Sequence, residues 1–134
     1  MKFAITVFFL LLTAHYNLSI AADPQEAAKL FQAGVARLEE RKNEIFGGGG
    51  TTSVDIQYDV KKTDSVIQPI IGVLVITENT GTPVHLIHDI TFSFSNGAWT
   101  ATKYTRTITT SAGSNDYDEK LSSRPVPQVQ ECFK

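Results

Sequence analysis

Along the chain the hydrophobic period changes once, from 3.6 residues to 2. Apolar or small residues recur at Ala27, Leu30, Phe31, Gly34, Val35, Leu38, Ile45 and Phe46. Spacings of three and four place them on one stripe of an α-helix. The charged residues between them, from Glu26 and Lys29 to Arg41, Lys42 and Glu44, make the opposite, solvated face. Asp23 is a natural N-cap, Pro24 suits the first helical position, and Glu26 stands where a capping box needs it. Gly47-Gly48-Gly49-Gly50 ends the helix. The spacing therefore predicts a helix of roughly 23 residues and 35 Å. The glycine run does not make a phosphate loop: no Gly-Lys-Ser/Thr follows, and it leads from helix to strand.

After the glycines the pattern alternates. Val54, Ile56, Tyr58 and Val60 are interleaved with Asp55, Gln57 and Asp59, which predicts a half-buried strand. Residues 66–78 are apolar on both faces and predict a central strand, with Pro69 marking a bulge, a bend or the true start. In 84–95, Val84, Leu86, His88, Ile90, Phe92 and Phe94 share one face. Asn96-Gly97 is the strongest two-residue hairpin signal in the chain, so 84–95 should pair with 98–109. From Thr110 onward neither period is visible, and residues 111–134 are expected to be an extended or disordered tail. The expected architecture is α+β in two layers: one N-terminal helix packed on a four-stranded antiparallel sheet, with 22–110 as a single domain.

That layout resembles the cystatin-like and NTF2-like groups of folds over residues 24–110. The string Tyr58-Asp59-Val60-Lys61-Lys62-Thr63-Asp64-Ser65, with Pro69 and Gly72 after it, is similar to one in small exported bacterial proteins of unassigned function. Phe92-Ser93-Phe94-Ser95-Asn96-Gly97-Ala98-Trp99 resembles the aromatic hairpin common among them. The resemblance implies an exported bacterial protein and no particular activity. Inhibition of the cystatin type would need a Gln-Val-Val-Ala-Gly-like hairpin, for which Gln68-Pro69-Ile70-Ile71-Gly72 is only a loose echo.

The first residues read as an address. Lys2, the apolar run Ile5 to Leu12, and the small residues Ser19, Ala21 and Ala22 follow the order of a secretory signal peptide over 1–21. That run is 8 residues, and the strongly apolar stretch around it about 12, against the roughly 20 that span a bilayer. The mature product is expected to be secreted or periplasmic, with no transmembrane segment. Removing Lys2 leaves 11 basic and 14 acidic residues, a formal charge of −3, which gives no basic surplus for nucleic acid. Cys132 alone makes no internal disulfide, and one Cys with three His builds no usual zinc site, so no metal or cofactor is expected.

Three residues stand out as site candidates. Trp99 and Tyr104, five positions apart on the return strand, should face opposite sides, leaving one exposed as a binding anchor. His88 lies on the apolar face and is either a hydrogen-bonded core residue or part of a pocket lining. These features favour an exported, non-catalytic binding domain that engages a protein or a small ligand through the sheet face or the hairpin. The alternative is a small enzyme with a pocket between helix and sheet, using His88 with a strand carboxylate. Paired-carboxylate sugar hydrolysis would need two acids facing a cleft, for which Asp55, Asp59, Glu78 and Asp89 are the acids that strands carry, Asp55 and Asp59 lying on the polar strand face. No strained-turn nucleophile motif supports acyl transfer. A polar pocket holding His88 and an acid would favour the enzyme, and a filled core with an exposed aromatic patch the binding module.

Overall fold

The structure, a computed structural model, describes residues 23–47, 50–81 and 84–134. The signal peptide expected over 1–21 lies outside the described residues. Helix α1 spans Pro24–Phe46, and the Asp23 carboxylate accepts from Gln25 N at 2.9 Å. Its stripe buries Ala27, Phe31, Gly34, Val35, Leu38 and Phe46. Five strands follow: β1 (Thr51–Lys62), β2 (Ile70–Thr80), β3 (His85–Ser95), β4 (Ala98–Thr110) and β5 (Gly113–Glu119). A short helix, α2 (Val126–Cys132), comes last. The sheet is an antiparallel meander in the order β1-β2-β3-β4-β5, and α1 packs on one face of it.

The α+β layering is as expected, but the sheet has five strands rather than four. The segment 111–134, expected to be an extended or disordered tail, supplies both β5 and α2. β5 is held by polar cross-strand pairs rather than by apolar alternation. Thr107 Oγ1 donates to Asp116 at 2.7 Å, and Arg106 bridges to Glu119 at 2.9 Å. α2 is too short to show a helical period, yet Val126, Val129, Cys132 and Phe133 are all buried.

At the first hairpin, β2 starts at Ile70, after Pro69. Val66 and Ile67, expected in the strand, sit in the loop at 95% and 87% exposure. Proline lacks the N–H a ladder needs. The hydroxyls of Thr63 and Ser65 hold the turn instead, Ser65 Oγ accepting from Gln68 N at 3.0 Å and Thr63 Oγ1 donating to Gln68 O. The β3–β4 hairpin forms as expected, with Asn96 and Gly97 at φ 53° and 75° in the tight turn.

The core centres on Phe31. Its ring lies 4.9 Å from Trp99, 5.6 Å from Phe92 and 4.8 Å from Phe133, centroid to centroid. Two glycines make room: a Cβ at Gly72 would strike Phe31, and one at Gly34 would strike Phe133. β5 pairs only with Tyr104–Thr110, so the first half of β4 needs other cover. Gln130 of α2 provides it, accepting from Ala101 N at 2.8 Å and donating to Trp99 O at 2.9 Å, as a neighbouring strand would.

Candidate functional site

A bulge in β4 decides where the aromatic candidates point. Thr91 opposes Lys103 and Phe92 opposes Ala101, so Thr102 is an extra residue. One extra residue reverses the alternation. Trp99 and Tyr104, expected on opposite faces, therefore both point inward and are 2% and 1% exposed. Trp99 donates Nε1–H to Ala27 O at 2.8 Å and packs against Phe31 and Phe94. It is a core residue, not an exposed anchor.

Tyr104 lies toward the other end of the interface, where it meets His88. The Tyr104 hydroxyl is 2.7 Å from His88 Nδ1, and His88 Nε2 is 2.6 Å from Glu78 Oε2. Register explains the meeting: Ile76 opposes His88, His88 opposes Arg106, and Ile90 opposes Tyr104. Glu78 is in phase with Leu74 and Ile76, so it points to the same side as His88. Thr51 Oγ1 donates to its other oxygen at 3.3 Å. Arg106, ion-paired with Glu119, stacks over the Tyr117 ring at 5.2 Å.

Burial sets the protonation of this chain. It pushes the Tyr104 phenol up to about 12, so the hydroxyl keeps its proton. Burial also lowers the His88 pKa; hydrogen bonding and attraction from Glu78 oppose this, while Arg106 adds to it. A neutral imidazole has one donor and one acceptor. Tyr104 therefore donates to Nδ1, and Nε2–H donates to the Glu78 carboxylate. Both ring nitrogens are bonded within the protein, and the hydroxyl on the Nδ1 lone pair is the buried one of Tyr104.

The group that faces outward is Glu78. Together with His88, Ile45, Phe46, Arg124 and Pro125 it lines an open depression of about 240 Å³ between the end of α1, the sheet and the loop before α2. The depression combines an apolar wall, one carboxylate and one guanidinium at the rim. Of the three residues singled out from the sequence, His88 lines the depression, Tyr104 is buried behind it and Trp99 lies elsewhere in the core. Glu78 is one of the strand carboxylates, and its phase with Gly72, Leu74 and Ile76 is the signal that places it on the His88 face. Arg124 belongs to a segment with no readable period.

His85 points to the opposite sheet face, where its Nδ1 meets Asn79 Oδ1. Asp55 accepts from Asn79 Nδ2 at 3.1 Å on that face. Cys132 is buried rather than in a solvated tail, and burial pushes its thiol up, opposite to what a reactive thiolate needs. Among the described residues there is no group of three or more His, Cys, Asp or Glu able to hold a metal ion. No helix among them is long and apolar enough to cross a membrane.

Compared with known proteins, the chain matches no family model, no curated protein and no solved structure.

Proposed function

We propose that the protein is an exported, non-catalytic binding domain that takes a small ligand in the depression at Glu78. The observation that carries this reading is the protonation chain from Tyr104 through His88 to Glu78. It fixes the carboxylate at the mouth of the depression, and the hydroxyl that His88 could activate belongs to Tyr104, which is buried and does not line the depression. At about 240 Å³ the space is smaller than the roughly 300–1,000 Å³ of drug-sized pockets. It suits a small molecule with a donor for Glu78, an acceptor for Arg124, and an apolar body against Ile45, Phe46 and Pro125. The sheet face and hairpin turn are weaker docking sites, because their two aromatic candidates are interior. Export rests on the leader-like residues 1–21, and the kinship with cystatin-like or NTF2-like exported bacterial proteins on the helix-then-meander layout.

A thermal-shift screen of small amines, carboxylates and zwitterions tests the proposal. A true ligand raises the midpoint in proportion to the logarithm of its concentration above Kd. Glu78→Gln keeps an acceptor for His88 Nε2–H while removing the charge, and Arg124→Ala removes the rim cation. Both variants should fold normally and lose the shift. A stabilising compound that acts equally on wild type and both variants places binding elsewhere, and no stabilisation from any compound class counts against a small ligand.

A further inference from the structure

The sheet has three stretches of free margin, and they are treated differently. The first half of β4 is covered by Gln130 of α2. β5 is a short edge of seven residues carrying Asp116 and Asp118. Any symmetric antiparallel pairing centred on Asp116 would set that carboxylate against its own copy, which repels. β1 is the third margin. It has 12 residues, no proline and no bulge between Val54 and Lys62, and no strand pairs with its outer side among the described residues. Long regular edges of this kind are templates for strand addition.

We infer that β1 is a homodimer interface, pairing antiparallel with β1 of a second copy about a two-fold axis through Tyr58. The sequence of β1 is self-complementary in that register. On the face away from α1, Asp55 opposes Lys61 of the second copy, Lys61 opposes its Asp55, and Gln57 opposes its Asp59. On the helix face, Ile56 opposes Val60 in both directions and Tyr58 opposes Tyr58. Ile56 and Val60 are only partly buried in one copy, and Tyr58 is 41% exposed although its ring touches Phe31 at 5.8 Å. Pairing covers all three.

The neighbouring registers are worse. Centring on Gln57 sets Asp55 against Asp59, and centring on Asp59 sets that carboxylate against itself. Centring on Val60 keeps Asp–Lys pairs but shortens the overlap. A hollow of about 360 Å³ runs beside Val54, Asp55, Ile56 and Gln57, roofed by Glu39 and Lys42 of α1. In the proposed register Lys62 of the second copy opposes Val54 on the helix face, next to this hollow, where Glu39 pairs with Lys42 at 2.9 Å, while Lys61 meets Asp55 on the other face. Lys61 and Lys62 have no ion-pair partner among the described residues. The interface is isologous and closes at two copies, because the β1 edges are then consumed.

Sedimentation velocity of the purified protein, up to about 0.1 mM, reads the equilibrium. A dimer is expected. Lys61→Asp replaces two attractive cross-strand pairs with two repulsive ones and should weaken it roughly tenfold or more. Asp55→Lys alone should do the same, and the double exchange Asp55→Lys with Lys61→Asp should restore it to within about threefold of wild type. Far-ultraviolet circular dichroism checks that each variant is folded. In a Cys132→Ser background, Tyr58→Cys should form an intermolecular disulfide under mild oxidation and Gln57→Cys should not. A monomer at the highest concentration overturns the inference. So does a dimer indifferent to Lys61→Asp, or one that the double exchange fails to restore.

Discussion

The two ends of the space between α1 and the sheet are built on opposite physics. At one end Phe31, Phe92, Phe94, Trp99 and Phe133 pack ring against ring, and the Trp99 N–H finds its partner in the helix backbone. At the other, Tyr104, His88 and Glu78 form a directed hydrogen-bond chain that ends at an open depression. The first end is stabilised by area removed from water and by close packing, and neither depends strongly on pH. The second is stabilised only while every donor and acceptor has its partner. One end can therefore serve as a scaffold, and the other is where the chain can respond to a ligand or to protons.

The largest effect is expected from breaking the dry end. Phe31→Ala should cost about 3–5 kcal/mol in urea-induced unfolding, because Trp99, Phe92 and Phe133 cannot all collapse into the space. A loss below about 1 kcal/mol would mean that the rings repack freely and that the contrast between the ends is overstated.

A smaller loss is expected at the polar end. Tyr104→Phe keeps the ring and removes one hydroxyl, leaving His88 Nδ1 without its donor. The expected cost is about 1–3 kcal/mol, the range for one unsatisfied buried polar atom. Adding Glu78→Gln should give a non-additive total, since both changes act on one chain through His88. Simple additivity would show that the three groups are independent.

The smallest effect is the pH dependence. Burial lowers the His88 pKa from the ordinary 6.5, so below that value the unfolded chain binds a proton that the folded chain resists. Stability therefore falls as pH drops below 6.5 toward the lowered folded value. A His88→Gln variant should show a flatter acid limb between pH 7 and 5. An unchanged limb would assign the acid sensitivity to other groups.

The helix and the β3–β4 hairpin were legible because each carries a local signal that tertiary structure had no reason to override. Asp23-Pro24 opens the helix, Asn96-Gly97 sets the turn, and the apolar period is regular within the helix and within the strand that precedes the turn. The aromatic positions were not legible, because counting by twos assumes a regular ladder and Thr102 breaks it. Thr102 looks like any other strand threonine. β5 was not legible for a different reason: Asp116, Asp118 and Glu119 read as a solvated tail until Thr107 and Thr105 stand opposite the two aspartates and Arg106 reaches across to Glu119. Glu78 was legible only as a strand carboxylate. Its role depends on the β2–β3 and β3–β4 registers, which bring His88 beside Glu78 and Tyr104.

The contact between the two helices also governs when the molecule can fold. Arg37 Nε donates to Cys132 O at 2.6 Å across 95 positions, and Phe133 fills the space left by Gly34. During synthesis α1 is made early, and these partners arrive only after all five strands. Until then its apolar stripe lacks the rings and side chains of α2, and closing so long a loop must wait for the chain to be there. Before then part of the core is missing, and the folded state is correspondingly less favoured. If the chain is exported as proposed, a core completed only by Val126, Val129, Cys132 and Phe133 would favour the unfolded form until nearly the whole chain has been made.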